Sequence, residues 1–419
     1  MGLTSALPLT GSNQATAIFT RPLRIETGAS LLRPKALNSA LEPGRTIPPG
    51  QSFPGGPMPF IHSIVASVFL ATATAVFFAA SVVPARAADL KLEAESYTIP
   101  SGDPGIDLYI RHKHPAGIET FTPDKILLYV HGATYPSETA FDLPIDGVSM
   151  MDLIASRGYD VYLVDIRGYG GSTRPPEMNL PAAENQPIVH TDVAVHDFGV
   201  AVDHILSKRK VSKLDVMGWS WGTSTVGAYT STHSDKVNRL VLYAPLWLFK
   251  NDAATMAAAM GVQADKLGAY RMVSRESAKD RWLKGVPADK RDDLIPPGVF
   301  DAWADATFAT DPEAGKQNPP RLRAPNGVID DVLKYWSSEK PFYDPGKITV
   351  PTLIIHAEWD ADLPSYQAQA YFKELTRTPY KRFVELGEGT HTVMMEKNRM
   401  QFFREIMLFL DEKDSLALK

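Results

Sequence analysis

The stretch that most constrains this chain is Val216-Met217-Gly218-Trp219-Ser220-Trp221-Gly222-Thr223. The apolar run from Leu214 to Met217 has the length and composition of a buried strand, and the residues from Thr223 to Tyr229 are small and helix-compatible. Between them stands Gly-x-Ser-x-Gly, the pattern of a nucleophile elbow. There a sharp strand-to-helix turn holds a serine in a strained backbone conformation, its hydroxyl projecting from the C-terminal edge of a sheet. The two glycines give the turn room to close. Five residues make a short pattern, so the rest of the chain has to supply its context.

That context begins at residue 91, where strand and helix signals start to alternate as in a βαβ sheet. Lys91 to Ile99 and Ile106 to His112 read as an antiparallel pair around the turn-forming Pro100-Ser101-Gly102-Asp103-Pro104-Gly105. Ile126 to Val130 is a continuous apolar run expected of a buried strand and Val161 to Asp165 reads as another central strand, with a helix between them from Met150 to Arg157, closed by Gly158. Thr191 to Ser207 carries apolar residues near a 3.6 period and should be the helix packed beside the elbow strand. After the elbow come strands at Leu240 to Ala244, Thr352 to Ile355 and Arg382 to Leu386, and a closing amphipathic helix from about Glu396 to Asp411.

The N-terminal part differs in kind. Residues 1–57 are rich in Pro, Gly, Ser and Thr without helical or strand period, and are expected to be disordered or to come from an overextended gene model that should start at Met58. From Phe60 to Ala85 there is no Lys, Arg, Asp or Glu, and Ala85-Arg86-Ala87 fits the small-residue preference of a signal peptidase. Residues 58–87 are therefore read as a signal peptide, giving an exported, periplasmic or secreted chain starting at Ala88. Because the apolar run is long enough to span a bilayer, an uncleaved membrane anchor is the alternative.

Composition excludes several function classes. A chain of 419 residues, 44% of them hydrophobic, can bury a large core. The net charge of -5 shows no basic excess, so no nucleic-acid partner is expected. The absence of cysteine removes disulfides, a cysteine nucleophile and thiolate metal sites, without fixing the compartment. His190, His196 and His204 are not spaced i, i+4 as a zinc helix requires, and His112 and His114 alternate on a strand, so no metal is expected. No cofactor is expected either, since the glycines at 168, 170 and 171 complete neither a dinucleotide fingerprint nor a P-loop.

Four signatures now stand in order: His131-Gly132 after one strand, Asp165-x-Arg167-Gly168-x-Gly170-x-Ser172 after the next, Gly218-x-Ser220-x-Gly222 at the elbow, and Gly389-Thr390-His391-Thr392 before the last helix. With them the chain resembles the α/β-hydrolase superfamily over about residues 91 to 411, an insertion aside. The resemblance implies an α/β fold with a mostly parallel central sheet flanked by helices, residues 88–245 and 349–419 forming the core. Residues 246–348, which that core does not need, should form a mainly helical cap over the active site. Helix-like runs there are Asp252 to Gln263, Ala269 to Leu283 and Ile329 to Ser338, separated by Pro-rich breaks.

The resemblance also implies a serine, acid and histidine in that chain order. A serine hydroxyl is a poor nucleophile until a base takes its proton and a third group holds that base in the right tautomer. Of ten histidines only His391 follows a late strand in a short turn-forming segment, and it is the expected base for Ser220. The acid should follow the preceding strand, where Glu358, Asp360 and Asp362 all stand. In related hydrolases the acid commonly precedes a proline by four residues, which with Pro364 favours Asp360 over Asp362 and Glu358. A position after Ala244, with Asp252 nearest, is a further option. The oxyanion that forms on the carbonyl needs N–H donors, for which Trp221 and Ala133 are the candidates, with Thr134 beside Ala133. His131 and Arg167 are expected to brace their loops.

An aromatic and methionine-rich cap, including Phe249, Met256, Met260, Trp282 and Trp303, favours an apolar, bulky substrate, although most of these residues would belong to the cap's own core or its seam with the sheet. The expected function is hydrolysis of a carboxylic ester through an acyl-enzyme. An amidase or peptidase is the first alternative, because the elbow resembles that of prolyl aminopeptidases. His131-Gly132-Ala133-Thr134-Tyr135-Pro136 replaces the His-Gly-Gly-Pro-Gly loop of that family, which weakens the case. A non-catalytic binding protein is the second. Epoxide hydrolase and haloalkane dehalogenase chemistry would place an aspartate where Ser220 stands.

Overall fold

The computed structural model describes residues 91–413, all within one compact unit, Ser81–Lys419. The segments 1–57 and 58–87 lie outside the described residues.

Leu92–Pro100 (β1) and Asp107–Pro115 (β2) form an antiparallel ribbon, joined by Ser101 to Ile106. Ile126–Val130 (β3), Asp160–Val164 (β4), Leu214–Trp219 (β5) and Val237–Tyr243 (β6) follow. After a long insertion containing Tyr270–Ser274 (β7) and Arg321–Pro325 (β8) come Thr352–Ala357 (β9) and Lys381–Leu386 (β10). The main sheet has eight strands in the order β1-β2-β4-β3-β5-β6-β9-β10, antiparallel at β1/β2 and β2/β4 and parallel beyond. Every residue of β3, β4, β5 and β9 is buried. That explains their largely apolar character, since strands of a parallel sheet covered on both faces have no solvent side to alternate toward.

Helices Thr191–Arg209 and Trp221–Thr232 pack against one another, with Phe198 set edge-on to Tyr229 at a ring separation of 5.4 Å. The closing helix, Arg399–Leu410, seats Phe402 on Tyr243 of β6 at 4.7 Å. Helix Ser365–Glu374, between β9 and β10, was not expected, and neither was the short Ser137–Phe141 after β3.

The parallel register decides where chemistry can occur. Val130 pairs with Gly218, Tyr243 with Ile355, and Leu386 with Ala357, so β3, β5, β9 and β10 all end at one edge. The loops carrying His131, Ser220, Asp360 and His391 leave from that edge, where open α/β sheets bind their ligands.

The insertion carries helices Ala253–Ala259, Arg275–Trp282, Val299–Ala309 and Gly327–Asp331, the last running into a wider turn at Val332–Trp336. One expectation needs correcting: Ala269 to Leu283 is not one helix. Tyr270–Ser274 pairs antiparallel with Arg321–Pro325, and the helix starts only at Arg275. Ser274 sets the boundary, its hydroxyl accepting the Ser277 N–H at 3.1 Å in a capping box. Helix Val299–Ala309, absent from the sequence reading, packs Trp303 between Tyr135 and Trp282, at 4.7 and 5.2 Å.

Candidate active site

Ser220 joins β5 to helix Trp221–Thr232 with φ 57° and ψ -123°. A positive φ is costly for a residue with a Cβ and persists only where the surroundings enforce it. Here the Ser220 N–H donates to the Tyr243 carbonyl at 2.9 Å and its carbonyl accepts from Thr223 N–H at 2.9 Å. The elbow glycines are required by space: a Cβ on Gly218 would stand 2.3 Å from the Gly222 carbonyl oxygen, and one on Gly222 2.5 Å from that of His131. Both elbow tryptophans are anchors. Trp219 Nε1 donates to the His391 carbonyl at 2.8 Å, and Trp221 Nε1 to the Thr191 hydroxyl at 2.9 Å.

The structure brings Ser220, Asp360 and His391 to one place. His391 Nδ1 lies 2.7 Å from Asp360 Oδ2, while Asp360 Oδ1 accepts the N–H groups of Asp362 and Leu363, both at 3.0 Å. The carboxylate is thus fixed at both oxygens and oriented by its own turn. With a proton on Nδ1 facing that carboxylate, Nε2 is left as an acceptor. Among the described residues Nε2 has no hydrogen-bond partner, and His391 lines the same small recess as Ser220. Tyr243 holds the histidine loop from beneath, its hydroxyl donating to the Thr390 carbonyl at 2.7 Å.

The other acids considered are occupied elsewhere. Asp362 pairs with Arg281, Oδ2 to Nε at 2.5 Å. Burial pushes its carboxyl up, but the charges of Arg281 and His391 outweigh that and hold it at about 2. Glu358 accepts the Glu388 N–H at 2.9 Å. Asp252 caps helix Ala253–Ala259 through the Thr255 N–H at 2.8 Å.

The loop after β3 faces Ser220 closely. A Cβ on Gly132 would lie 2.9 Å from Ser220 Cβ. His131 is fully buried and braces this loop: Nδ1 donates to the Gly132 carbonyl at 2.6 Å and Nε2 accepts the Ile166 N–H at 3.1 Å. Burial, partly offset by the Gly132 bond, lowers its pKa to about 4, so the ring stays neutral. In a trans peptide N–H and C=O point opposite ways, so the bond to the Gly132 carbonyl also aims the Ala133 N–H. The Ala133 carbonyl is in turn held by Tyr169 Oη at 2.9 Å and Arg271 Nη2 at 2.7 Å. Trp221, as the first helical residue, has an N–H without intrahelical partner.

Arg167 braces its loop as expected, donating to Asp197 and pairing with Asp103 at 2.7 Å. His190 Nδ1 sits 2.8 Å from Asp331 Oδ1, and the other Asp331 oxygen receives the Thr191 N–H and hydroxyl at 2.6 and 2.7 Å. His190, Asp330 and Asp331 group closely enough to hold an ion, but those bonds give Asp331 a structural task at the start of helix Thr191–Arg209.

The insertion walls the site on its open side. Trp282 and Trp303 line the recess of Ser220 and His391, whereas Phe249, Met256 and Met260 line an adjoining cavity of ≈ 600 Å³ that also reaches Ser220. Trp247 and Trp336 are buried in packing instead. Sequence reasoning missed Arg271, Arg281 and Glu396. The two arginines act on loops distant in the chain, Glu396 joins the nearby Thr390 and Thr392 to the distant Trp282, and no local pattern marks any of them.

A parallel sheet with a serine elbow at its edge and a histidine–aspartate pair in the following loops defines a hydrolase of the α/β type. The comparisons agree on the fold: the family model described as alpha/beta hydrolase fold matches residues 125–282. A relative from Schizosaccharomyces pombe, named as a probable lipase, is 28% identical over 137 residues, 31% of this chain. The match spans 29% of that relative's length. Among solved structures, a bromoperoxidase from Bacillus anthracis matches with TM-score 0.51 and 19% identity, covering 76% of this chain and 100% of that one. A meta-cleavage product hydrolase from Pseudomonas fluorescens matches with TM-score 0.51 and 16% identity, covering 76% and 97%. At these identities the structural matches speak to the fold.

Proposed function

We propose that this hydrolase cleaves a carboxylic ester of an apolar, bulky substrate through an acyl-enzyme formed on Ser220. The observation that carries this is the meeting, in one recess, of a serine at positive φ with a histidine whose Nδ1 is committed to Asp360 and whose Nε2 is open. His391 Nε2 takes the Ser220 proton as Oγ bonds to the ester carbonyl carbon, and Asp360 stabilises the imidazolium. The N–H groups of Ala133 and Trp221 receive the oxyanion. As the carbonyl re-forms, the C–O bond to the alcohol breaks and His391 passes the proton to the departing oxygen. A water, deprotonated by the same nitrogen, then clears the acyl group.

The methionine and aromatic wall of the larger cavity supports an apolar substrate, and the relative named as a lipase supports ester over amide. Mapping a fluorophosphonate adduct by mass spectrometry tests the nucleophile. The expected adduct is on Ser220, and labelling elsewhere or none counts against catalysis and for a binding protein. p-Nitrophenyl esters of several chain lengths should be cleaved faster than aminoacyl anilides; the reverse order would favour a peptidase. Export follows from the reading of residues 58–87, and N-terminal sequencing of secreted material should begin at Ala88, whereas an intact N-terminus in the membrane fraction would favour an anchor.

A further inference from the structure

The larger cavity holds charge for which ester cleavage alone has no use. Arg271, on β7, donates from Nη2 to Thr134 Oγ1 at 2.8 Å as well as to the Ala133 carbonyl, and from Nη1 to the Pro325 carbonyl at 2.6 Å. Arg281 donates from Nη1 to the same Thr134 hydroxyl at 3.1 Å. Two guanidinium groups therefore converge on one hydroxyl, beside Ser220. Asp362 neutralises Arg281, and its second oxygen lies 3.7 Å from Lys284 Nζ. Three cations thus stand against one carboxylate on the wall of this cavity. Among the described residues no carboxylate lies within ion-pair distance of Arg271, while burial and the nearby positive charge of Arg281 both weigh against its own charge.

Holding two like charges this close, partly out of water, is unfavourable unless a ligand of opposite charge joins them. The same cavity is also lined by the apolar Leu246, Met256, Met260 and Val332, which offer such a ligand a place for hydrocarbon. We propose that Arg271 and Arg281 receive a carboxylate carried by the substrate, so that the ester cleaved at Ser220 has an apolar body and one acidic group. This rests on the ester-hydrolase reading and narrows its substrate class. Because both Nη groups of Arg271, and Nε and Nη1 of Arg281, already donate within the protein, the carboxylate would be held by charge and by Arg271 Nε and Arg281 Nη2, which would set the scissile carbonyl against Ala133.

The test compares mono-p-nitrophenyl glutarate, which carries a free carboxylate, with neutral p-nitrophenyl pentanoate. The wild-type enzyme should favour the anionic ester in kcat/KM by tenfold or more, and Arg271→Gln should reduce that ratio at least tenfold, mainly through KM. Were Arg271 only a brace for the 133–134 loop, both esters would suffer alike. An unchanged ratio in the variant, or a wild-type preference for the neutral ester, overturns the proposal. Calorimetric titration with glutarate keeps the two readings apart if neither ester is cleaved. Binding to the wild type that weakens tenfold or more in Arg271→Gln sustains the anion site while the ester reading fails, and absent or equal binding overturns the site.

Discussion

Trp282 Nε1 donates to Glu396 Oε1 at 2.8 Å, linking the inserted segment to the loop that carries His391. Glu396 is fully buried, and its carboxylate also receives the Thr390 N–H at 2.9 Å, the Thr392 hydroxyl at 3.1 Å and the Thr390 hydroxyl. Burial raises its pKa, and these donors oppose the rise by favouring the charged form. The histidine loop and the wall over it thus share one acceptor.

Replacing that acceptor should loosen both partners. In Glu396→Gln an amide N–H₂ faces groups that are themselves donors, leaving at least one buried donor unmatched at a cost of about 1–3 kcal/mol. The expected outcome is a lower denaturant midpoint with slower fluorophosphonate labelling of Ser220. A variant as stable and as reactive as the wild type would show that the histidine loop holds itself.

Asp360→Asn and Asp362→Asn separate two acids that stand two residues apart in the chain. Asparagine at 360 can offer N–H₂ to His391 and so favour the wrong tautomer, for which the cost in kcat is on the order of 10⁴. Asparagine at 362 leaves the His391 contact alone and weakens a pair with Arg281. Steady-state rates on one ester should therefore fall far more for the first. A larger loss from the second would move the acid role to Asp362.

The two acids also show what a sequence can and cannot reveal. The apolar runs of β3, β4, β5 and β9, the elbow and the late His391 were readable because burial on both faces and a sharp turn leave composition marks in a few adjacent residues. The spacing to Pro364 favoured Asp360 over Asp362, and the turn shows why the two differ, one facing His391 and the other Arg281. The strand Tyr270–Ser274 looked helical because its partner, Arg321–Pro325, lies beyond several breaks, and pairing leaves no mark on a five-residue stretch. Arg271 and Arg281 were invisible for the same reason, their partners at 133, 134 and 362 being assembled by the fold alone.

Gly132→Ala tests how tightly the oxyanion loop faces the nucleophile. The added methyl would meet Ser220 Cβ at 2.9 Å and both Ser220 Oγ and the Trp219 carbonyl at 3.3 Å. Relief requires the loop to retreat, taking the Ala133 N–H away from the oxyanion. Loss of one such donor costs about 10²–10³ in kcat, while overpacking at one methyl costs about 1–3 kcal/mol of stability. A kcat within threefold of the wild type would place the oxyanion donors elsewhere.

Asp215 offers a pH-dependent check on the core that is independent of catalysis, since it lies at the other end of β5 from Ser220. Its Oδ1 accepts from Asn238 Nδ2 at 2.8 Å, and its Oδ2 has no partner among the described residues. Burial, opposed by the Asn238 bond and the Arg239 charge, raises its carboxyl from 3.8 to about 8. Between those values the folded state keeps a proton that the unfolded chain has released. Stability from this group is therefore fully present below pH 3.8, falls as pH rises, and is lost above about 8. Asp215→Asn keeps the shape and the Asn238 acceptor without an ionisable proton. It should match the wild type near pH 4 and exceed it at pH 9 by a few kcal/mol, the full shift setting an upper bound of about 6 kcal/mol. Urea unfolding at the two pH values measures this, and a difference that does not grow with pH would mean that Asp215 ionises freely in the folded protein.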